Sequence, residues 1–146
     1  MKTNGFTLIE LLVAIAILGI LSAVGIVAFT GYIDDAKRKE ATTGLSAIYL
    51  TQEEFRSTNR NYYPLNGFTC MMGSDQGATI NTGLFGGKQS LRSDNYFFCI
   101  TTTANSNEYT AWAFLREAPN DEWYNINQNE VRQSLLDGIT TATNGW

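Results

Sequence analysis

Histidine and cysteine, on which much catalysis and metal binding depend, are scarce in this chain. Its 146 residues include no histidine, and its two cysteines are Cys70 and Cys99. Histidine is the usual general base of serine and cysteine triads and the commonest metal ligand. The sequence therefore argues against the familiar hydrolase and metalloenzyme designs. We predict a protein that is not an enzyme, with no catalytic residue, no metal site and no cofactor.

Glu10 is the one ionisable side chain whose position demands a partner. It is the single charged residue between Phe6 and Ile33, and an ionised carboxylate in so apolar a segment is costly unless it is paired. No lysine or arginine lies within one helical turn of it. We therefore expect the partner of Glu10 to belong to another chain. The alternatives are a carboxylate that reaches the membrane interface and one that is protonated.

The segment that carries Glu10 is long enough to cross a membrane. Residues 11–29 form an uncharged run of 19 residues, which as a helix spans roughly 28 Å, the thickness of a bilayer core. We assign residues 6–33 to a membrane-spanning helix. A removable secretory signal is the rival interpretation, but the apolar core of such a signal has only about 7 to 15 residues and ends in a small-residue cleavage site.

The opening residues carry a specific motif. Met1-Lys2-Thr3-Asn4-Gly5 is followed by Phe6-Thr7-Leu8-Ile9-Glu10. This short basic leader, then a glycine, a phenylalanine and a nearby glutamate, resembles the class III leader of type IV pilins and of the related pseudopilins, and the resemblance covers about residues 1–32. It implies that a prepilin peptidase removes residues 1–5 by cutting between Gly5 and Phe6, and that the new amine of Phe6 becomes N-methylated.

The resemblance also implies a function. The chain would be a structural subunit that waits in the bacterial inner membrane as a single-pass protein and then joins other copies in a helical, extracellular type IV pilus filament. There Glu10 would pair with the Phe6 amine of a neighbouring copy. The implied partners are further copies of the chain, the prepilin peptidase, the inner membrane, and an assembly platform with its ATPases.

Two alternatives and one ambiguity accompany this interpretation. The chain could instead be a pseudopilin of a type II secretion system, or a membrane-anchored binding module that does not polymerise. Charge counting does not fix the orientation in the membrane, because three basic residues at 37–39 follow the span while Lys2 precedes it. The assignment of the N-terminus to the inside therefore rests on the resemblance.

We expect an α+β fold in which a long N-terminal helix packs on a small antiparallel sheet. The helix should run over about 6–58, because apolar residues at helical spacing continue through 34–58, its amphipathic half. This half would cover the apolar face of the sheet. Residues 59–146 would form a globular head.

Turn residues and strand patterns subdivide the head. Frequent glycines predict a connecting loop over 60–94. Aromatic and β-branched runs predict a β-meander at about 95–127, with strands at 96–102, 109–115 and 123–126. The C-terminal segment 128–146 would contain a short helix over 130–136, ended by Gly138.

The two cysteines of the head can close a glycine-rich loop. Outside the cytoplasm a disulfide persists, and loop entropy gives such a bond roughly 3.5 kcal/mol of stabilisation. We therefore predict a disulfide between Cys70 and Cys99.

The charge of the chain argues against a nucleic-acid partner. A net charge of −4 and a pI near 4.7 do not suit a protein that neutralises phosphates, which needs a basic patch. Two minor candidates are a nucleic-acid contact at Lys88, Arg92, Tyr96 and Phe97 and a calcium site at Asp75, Asp121 and Glu122. Solvated loop acids explain the second set better, because no spaced calcium motif is present.

Overall fold

The structure, a computed structural model, describes residues 5–65, 70, 73–88, 90–136 and 146, without the side chains of residues 26–28 and 30. The chain divides into two compact units, Met1–Ala36 and Lys37–Trp146. In chain order, the described elements are α1 (Leu8–Asn59), α2 (Gly77–Gly83), β1 (Tyr96–Thr102), β2 (Tyr109–Leu115), β3 (Trp123–Asn127) and β4 (Arg132–Leu135). This arrangement confirms the predicted α+β class.

The first unit contains the apolar part of α1. Its leucines, isoleucines and alanines favour a helix, and no proline interrupts them. Leu8–Gly25 is long and apolar enough to cross a membrane, with a mean hydropathy of 2.5. The consecutive residues Leu11, Leu12 and Val13 are 58%, 52% and 53% exposed. Because neighbouring residues point in different directions around a helix, no face of this stretch is buried within the unit.

In the second unit, α1 is amphipathic. Ala41, Leu45 and Ile48 recur at helical spacing, and their side chains are fully buried. Leu50 and Glu54 point away from this face and are exposed. One face of this part of α1 therefore belongs to the core, which it shares with the sheet.

The four strands form one antiparallel sheet in the order β1-β2-β3-β4. Ile100 pairs with Ala111, and Ala111 pairs with Ile126 across the next strand. All three side chains are fully buried and pack with Leu45 and Ile48 of α1. The helix therefore covers the apolar face of the sheet, as predicted.

The opposite face of the sheet carries an aromatic cluster. The ring of Trp112 stacks on that of Phe114 with centroids 5.7 Å apart and meets the ring of Trp123 edge-on at 5.3 Å. Phe114 is buried and the two tryptophans are half-buried. Alternation along β2 thus places small alanines under α1 and large aromatic rings on the other side.

The segment 60–94 is not a loop throughout, because it contains α2. The carboxylate of Asp75 accepts a hydrogen bond from the N–H of Gly77 at 2.9 Å, at the start of this helix. Ile80 is fully buried, and the side chain of Asn81 binds the backbone N–H and C=O of Leu91 at 2.9 and 3.1 Å. The side-chain hydrogen bond and the buried Ile80 therefore outweigh the unfavourable helix propensity of the glycines at the two ends of this short helix.

The predicted helix over 130–136 is wrong, and the chain forms β4 there instead. The side-chain oxygen of Asn127 accepts a hydrogen bond from the N–H of Val131 at 3.0 Å, and Glu130 adopts a left-handed φ of 57°. Together they reverse the chain, so that pairing with β3 outweighs the helix propensity of this stretch. Gly138, the predicted end of the helix, lies outside the described residues.

Gly44 lets α1 approach β1 closely. A Cβ atom at this position would stand 2.5 Å from Cζ of Phe98 and 3.3 Å from Cδ2 of Leu91, and Phe98 is fully buried. Glycine to alanine normally stabilises a helix interior by about 1 kcal/mol, whereas overpacking a core costs about 1 to 3 kcal/mol. We expect Gly44→Ala to lower the free energy of unfolding by about 1 to 2 kcal/mol.

Denaturant unfolding of the detergent-solubilised chain, followed by tryptophan fluorescence, measures this change, because all three tryptophans lie in the second unit. Thr43→Ala, at the exposed neighbouring position, is the matched control and should not reduce stability. A Gly44→Ala chain as stable as the wild type would show that the contact with Phe98 does not limit packing.

Candidate functional site

The start of α1 brings Glu10 together with Thr7. The backbone N–H of Thr7 donates to Oε2 of Glu10 at 2.9 Å, and the Thr7 hydroxyl donates to the same oxygen at 2.6 Å. In return, the N–H of Glu10 donates to Oγ1 of Thr7 at 3.4 Å. This is a capping box, in which two side chains satisfy backbone groups that the first turn of a helix leaves unpaired.

Among the residues that the structure describes, Glu10 therefore has hydrogen-bond donors but no positively charged partner. Both donors serve Oε2, and no described residue donates to Oε1. A hydroxyl and an amide stabilise a carboxylate without neutralising it. Sequence reasoning missed Thr7, although the spacing Thr-x-x-Glu before an apolar run was the available signal.

Gly5 and Phe6 precede α1 and are exposed. Phe6 is 80% exposed, and apart from Gly5 itself and its chain neighbours, no described atom lies within 4 Å of a Cβ built on Gly5. The peptide bond between them is therefore open to an enzyme that must approach the backbone. No hydrogen bond joins Phe6 to Glu10 within the described chain.

Cys70 and Cys99 form a disulfide, with Cα atoms 5.8 Å apart. Cys99 is fully buried in β1, so the bond attaches the segment before α2 to the sheet. Gln76 adds a second link, because its N–H donates to the C=O of Phe98 at 2.8 Å and its side-chain oxygen accepts from the N–H of Ile100 at 3.1 Å. Together the disulfide and Gln76 hold this segment along β1.

A buried carboxylate ties α1 to the sheet. Glu122 is only 8% exposed, and its Oε1 accepts hydrogen bonds from the hydroxyls of Tyr96 and, at 3.3 Å, of Tyr124. Its Oε2 lies 3.7 Å from Nε of Arg38 on α1. Two hydroxyl donors and a guanidinium thus compensate a charge that burial would otherwise make costly.

Buried tyrosines make the stability of the second unit depend on pH in the alkaline range. Burial, and then the hydrogen bond to Glu122, raise the pKa of Tyr96 above its ordinary value of 10.0, and burial raises the pKa of Tyr109 likewise. A group whose pKa is raised by folding contributes its full stability below the unfolded-state pKa and loses it as the pH rises towards the folded-state pKa. We expect the free energy of unfolding to fall above about pH 10, by about 1.4 kcal/mol per pH unit for each such tyrosine.

Thermal unfolding between pH 8 and pH 11.5, followed by tryptophan fluorescence, measures this dependence. Tyr96→Phe removes one of the groups that titrate, so its alkaline loss of stability should be shallower than that of the wild type. Coincident slopes for the two proteins would contradict the assignment to Tyr96.

The structure does not assemble the minor nucleic-acid candidate into one surface. Tyr96 is fully buried, and the guanidinium of Arg116 lies over the ring of Phe97 at 4.1 Å. Arg92 pairs with Asp94 at 3.2 Å. These rings therefore do not form a platform on which bases could stack.

The minor calcium candidate is dispersed as well. The two carboxylate oxygens of Asp75 are engaged by the N–H of Gly77 and by Arg116, and Glu122 is bound by its tyrosines. Within the ranges that the structure describes, no group of three histidine, cysteine, aspartate or glutamate side chains could hold a metal ion.

Many of the basic side chains are already paired with acids. Ion pairs within 4.0 Å join Lys37 to Glu117, Arg38 to Glu122, Arg56 to Glu53, Arg92 to Asp94, Arg116 to Asp75 and Arg132 to Glu130. These are six of the ten lysines and arginines of the chain. A pairing of this extent leaves little positive charge for a row of phosphates.

Two known families match successive parts of the chain. Residues 1–26 match the family described as "Prokaryotic N-terminal methylation motif". Residues 28–121, more than half of the chain, match the family described as "Type IV minor pilin ComP, DNA uptake sequence receptor". The chain belongs to this family of type IV pilins. The resemblance to type IV pilins, which the opening motif indicated, is thereby confirmed.

Individual relatives of this pilin carry related descriptions. It is 43% identical over 61 residues to "Type IV major pilin protein PilA" of Myxococcus xanthus (strain DK1622), a match that covers 42% of this chain and 28% of that protein. It is 38% identical over 95 residues to "Fimbrial protein" of Moraxella nonliquefaciens, covering 63% of this chain and 56% of that protein. The matched part of this pilin therefore spans only about a quarter and about half of these relatives.

A solved structure, "High-Resolution Structure of a Type IV Pilin from Shewanella oneidensis", is also similar to this pilin. The two superpose with a TM-score of 0.47 at 18% sequence identity, over 76% of this chain and 94% of that chain.

Proposed function

We propose that this pilin is a structural subunit that is held in the inner membrane, N-terminus inside, and polymerised through α1 into a helical pilus filament. The observation that carries the proposal is the apolar stretch Leu8–Gly25, which has no buried residue and is interrupted by one carboxylate at Glu10. An apolar surface of this size needs lipid or packed protein around it. The family to which the chain belongs is structural rather than enzymatic.

Assembly would exchange one apolar environment for another. In lipid, the side chains of α1 are already out of water, so the hydrophobic effect does not drive helices together there. On leaving the membrane, the same side chains would have to be buried among neighbouring helices in the filament core. The assembly platform and its ATPases would supply the work of extraction, and the packed core would keep the extracted subunit from exposing its helix to water.

Glu10 would select the register of each incoming subunit. Cutting between Gly5 and Phe6 creates a cationic amine at Phe6, and this charge is what the neutral donors of Thr7 do not provide. Thr7 holds Oε2 of Glu10, which leaves Oε1 for the Phe6 amine of a neighbouring copy. The buried pair would then form only when two helices are in register.

Each part of the chain would have its own role in membrane insertion and assembly. Residues 1–5 form the removable leader, 6–33 the part that crosses the membrane and later lines the filament core, 34–58 the amphipathic half of α1, and 59–146 the head. The boundary between the two compact units, at Ala36 and Lys37, lies close to the proposed boundary at 33.

Electron microscopy of sheared surface material, with mass spectrometry of its N-terminus, tests the proposal. Filaments that contain this pilin with a methylated Phe6 as first residue would support it. Loss of protein secretion on deletion, without surface filaments, would favour the type II pseudopilin. An intact Met1 in a functional monomer would favour the non-polymerising binding module.

DNA binding is the second function to test, because the description of the matched family names a DNA uptake sequence receptor. Against it stand the net charge of −4 and the six paired basic side chains. We expect the detergent-solubilised pilin to leave a short DNA duplex unshifted in a gel at about 50 mM salt, where phosphate contacts are strong. Retention of the duplex that weakens steeply with added salt would contradict this expectation.

A further inference from the structure

Two large hydrophobic side chains are exposed in the described part of the second unit, Leu50 at 66% and Val131 at 40%. A groove of about 530 Å³ lies between the last turns of α1 and the segment that follows α2. Its first lining residue, Thr51, follows Leu50 in the chain. We call this the Phe55 groove. Its lining includes Glu54, Phe55, Thr58, Leu84, Phe85 and Lys88.

The Phe55 groove combines apolar side chains with one charge of each sign. Phe55 and Phe85 are half-buried, so part of each ring is open to the groove, whereas Glu54 and Lys88 are exposed. Neither charge forms an ion pair among the residues described, unlike the six basic residues paired elsewhere. The groove thus offers an ammonium and a carboxylate beside an apolar site.

The turn between β3 and β4, which we call the Val131 turn (residues 128–131), has the complementary features. Its exposed apolar side chain stands between Glu130 and Arg132, which pair at 2.8 Å. Asn127 anchors the turn, and the left-handed φ of Glu130 is a strained conformation that persists only where the surroundings determine it. The turn and the first residue of β4 therefore present one apolar side chain, one acid and one base in a fixed shape.

The groove and the turn lie towards opposite edges of the sheet. α2 packs beside β1, and the Phe55 groove adjoins the chain that follows α2. The Val131 turn connects β3 to β4, and β4 is the other edge strand. Complementary patches on different sides of one molecule form a heterologous contact, which repeats from copy to copy and generates a ring or a helix.

We propose that the Val131 turn of one copy docks in the Phe55 groove of the next copy. Val131 inserts between the phenylalanines, Glu130 faces Lys88, and Arg132 faces Glu54. The four charges then alternate in sign, so the contact is favoured in one register and opposed in others. This inference rests on the proposed function, since it names the contact between heads in the filament.

Charge reversal tests the contact. Lys88→Glu and Glu130→Lys should each lower the yield of sheared filaments by about tenfold, because each places like charges opposite each other. The double variant should restore the yield, since the two residues meet across copies. Glu108→Lys, a reversal at an exposed acid of the turn between β1 and β2, is the matched control and should leave the yield unchanged. Failure of the double variant to recover would overturn the contact.

Cross-linking between copies tests where the proposed contact lies. Chains that carry Thr58→Cys and chains that carry Val131→Cys are co-expressed, and their mixed filaments are treated with a short bismaleimide. The native cysteines are held in their disulfide, so the engineered thiols react. We expect a covalent dimer from these filaments and none when Thr43→Cys replaces Thr58→Cys.

Filaments that form without this dimer would overturn the inference while leaving the proposed function intact. A cross-link to a different pilin alone would overturn the choice of a second copy as occupant. If the wild-type chain enters no filament, the proposed function itself fails.

Discussion

A Glu10→Gln chain should still be cut before Phe6 and yet be largely excluded from filaments. The amide keeps the size and hydrogen-bonding capacity of the carboxylate but loses the charge that would attract the Phe6 amine of a neighbouring copy. Co-expressed with wild-type copies, the variant should fall at least about tenfold in sheared filaments relative to its level in the membrane, because a buried amine would be left unpaired. Quantitative mass spectrometry of both fractions measures the ratio and reports the cut.

Ser22→Ala is the matched control for this experiment. Ser22 lies on the same exposed stretch of α1, and its hydroxyl donates only to the C=O of Leu18 at 2.7 Å. This variant should enter filaments as the wild type does. A correctly cut Glu10→Gln chain that assembles as well as the control would show that the carboxylate does not select subunits.

The capping box changes what such an experiment measures. Glu10 has a structural role at the start of α1, because it satisfies the N–H of Thr7. The glutamine side chain can accept the same hydrogen bond, as capping boxes with glutamine do. The substitution therefore separates the charge of Glu10 from its function as a helix cap, which a change to alanine would remove together with the charge.

Most of the fold follows from local patterns in the sequence. The predicted strands 96–102 and 109–115 coincide with β1 and β2, because aromatic and β-branched residues alternate there between clear turns. β4 was missed because its turn contains no glycine or proline, and because glutamate, arginine, glutamine and leucine favour a helix. Only pairing with β3 decides that segment, and strand pairing is a long-range effect that periodicity does not report.

Some features of the candidate site could also be predicted from the sequence, and others could not. The disulfide between the two cysteines could be predicted from residue types and composition, whereas the leader and the pairing of Glu10 stay predictions that rest on the opening motif. The close approach at Gly44 and the link from Arg38 to Glu122 could not, because each joins positions that are far apart in the chain. The sequence predicts a solvated loop acid at Glu122, next to Asp121, and only the packing of β1 and β3 around it shows that it is buried.

Glu122→Ala should be the most destabilising single change among those considered for the head. It removes the acceptor of the Tyr96 hydroxyl, which is then left in a fully buried side chain without its partner, and it removes the carboxylate that faces Arg38. Hydrogen bonds to a charged group contribute about 1.5 to 3 kcal/mol each, so we expect a loss of about 3 kcal/mol. The midpoint of thermal unfolding, followed by tryptophan fluorescence in detergent, should fall by roughly 10 °C.

Glu117→Ala provides the matched control, because Glu117 also pairs with a basic residue of α1. Its carboxylate lies 3.8 Å from Nζ of Lys37, but its side chain is 80% exposed, so the loss should stay below about 0.5 kcal/mol. Glu122→Gln keeps an acceptor for Tyr96 without the charge and should fall between the two. Glu117→Ala and Glu122→Ala could instead lower the free energy of unfolding by the same amount. That result would mean that the buried carboxylate of Glu122 and its tyrosine partners do not hold α1 on the sheet.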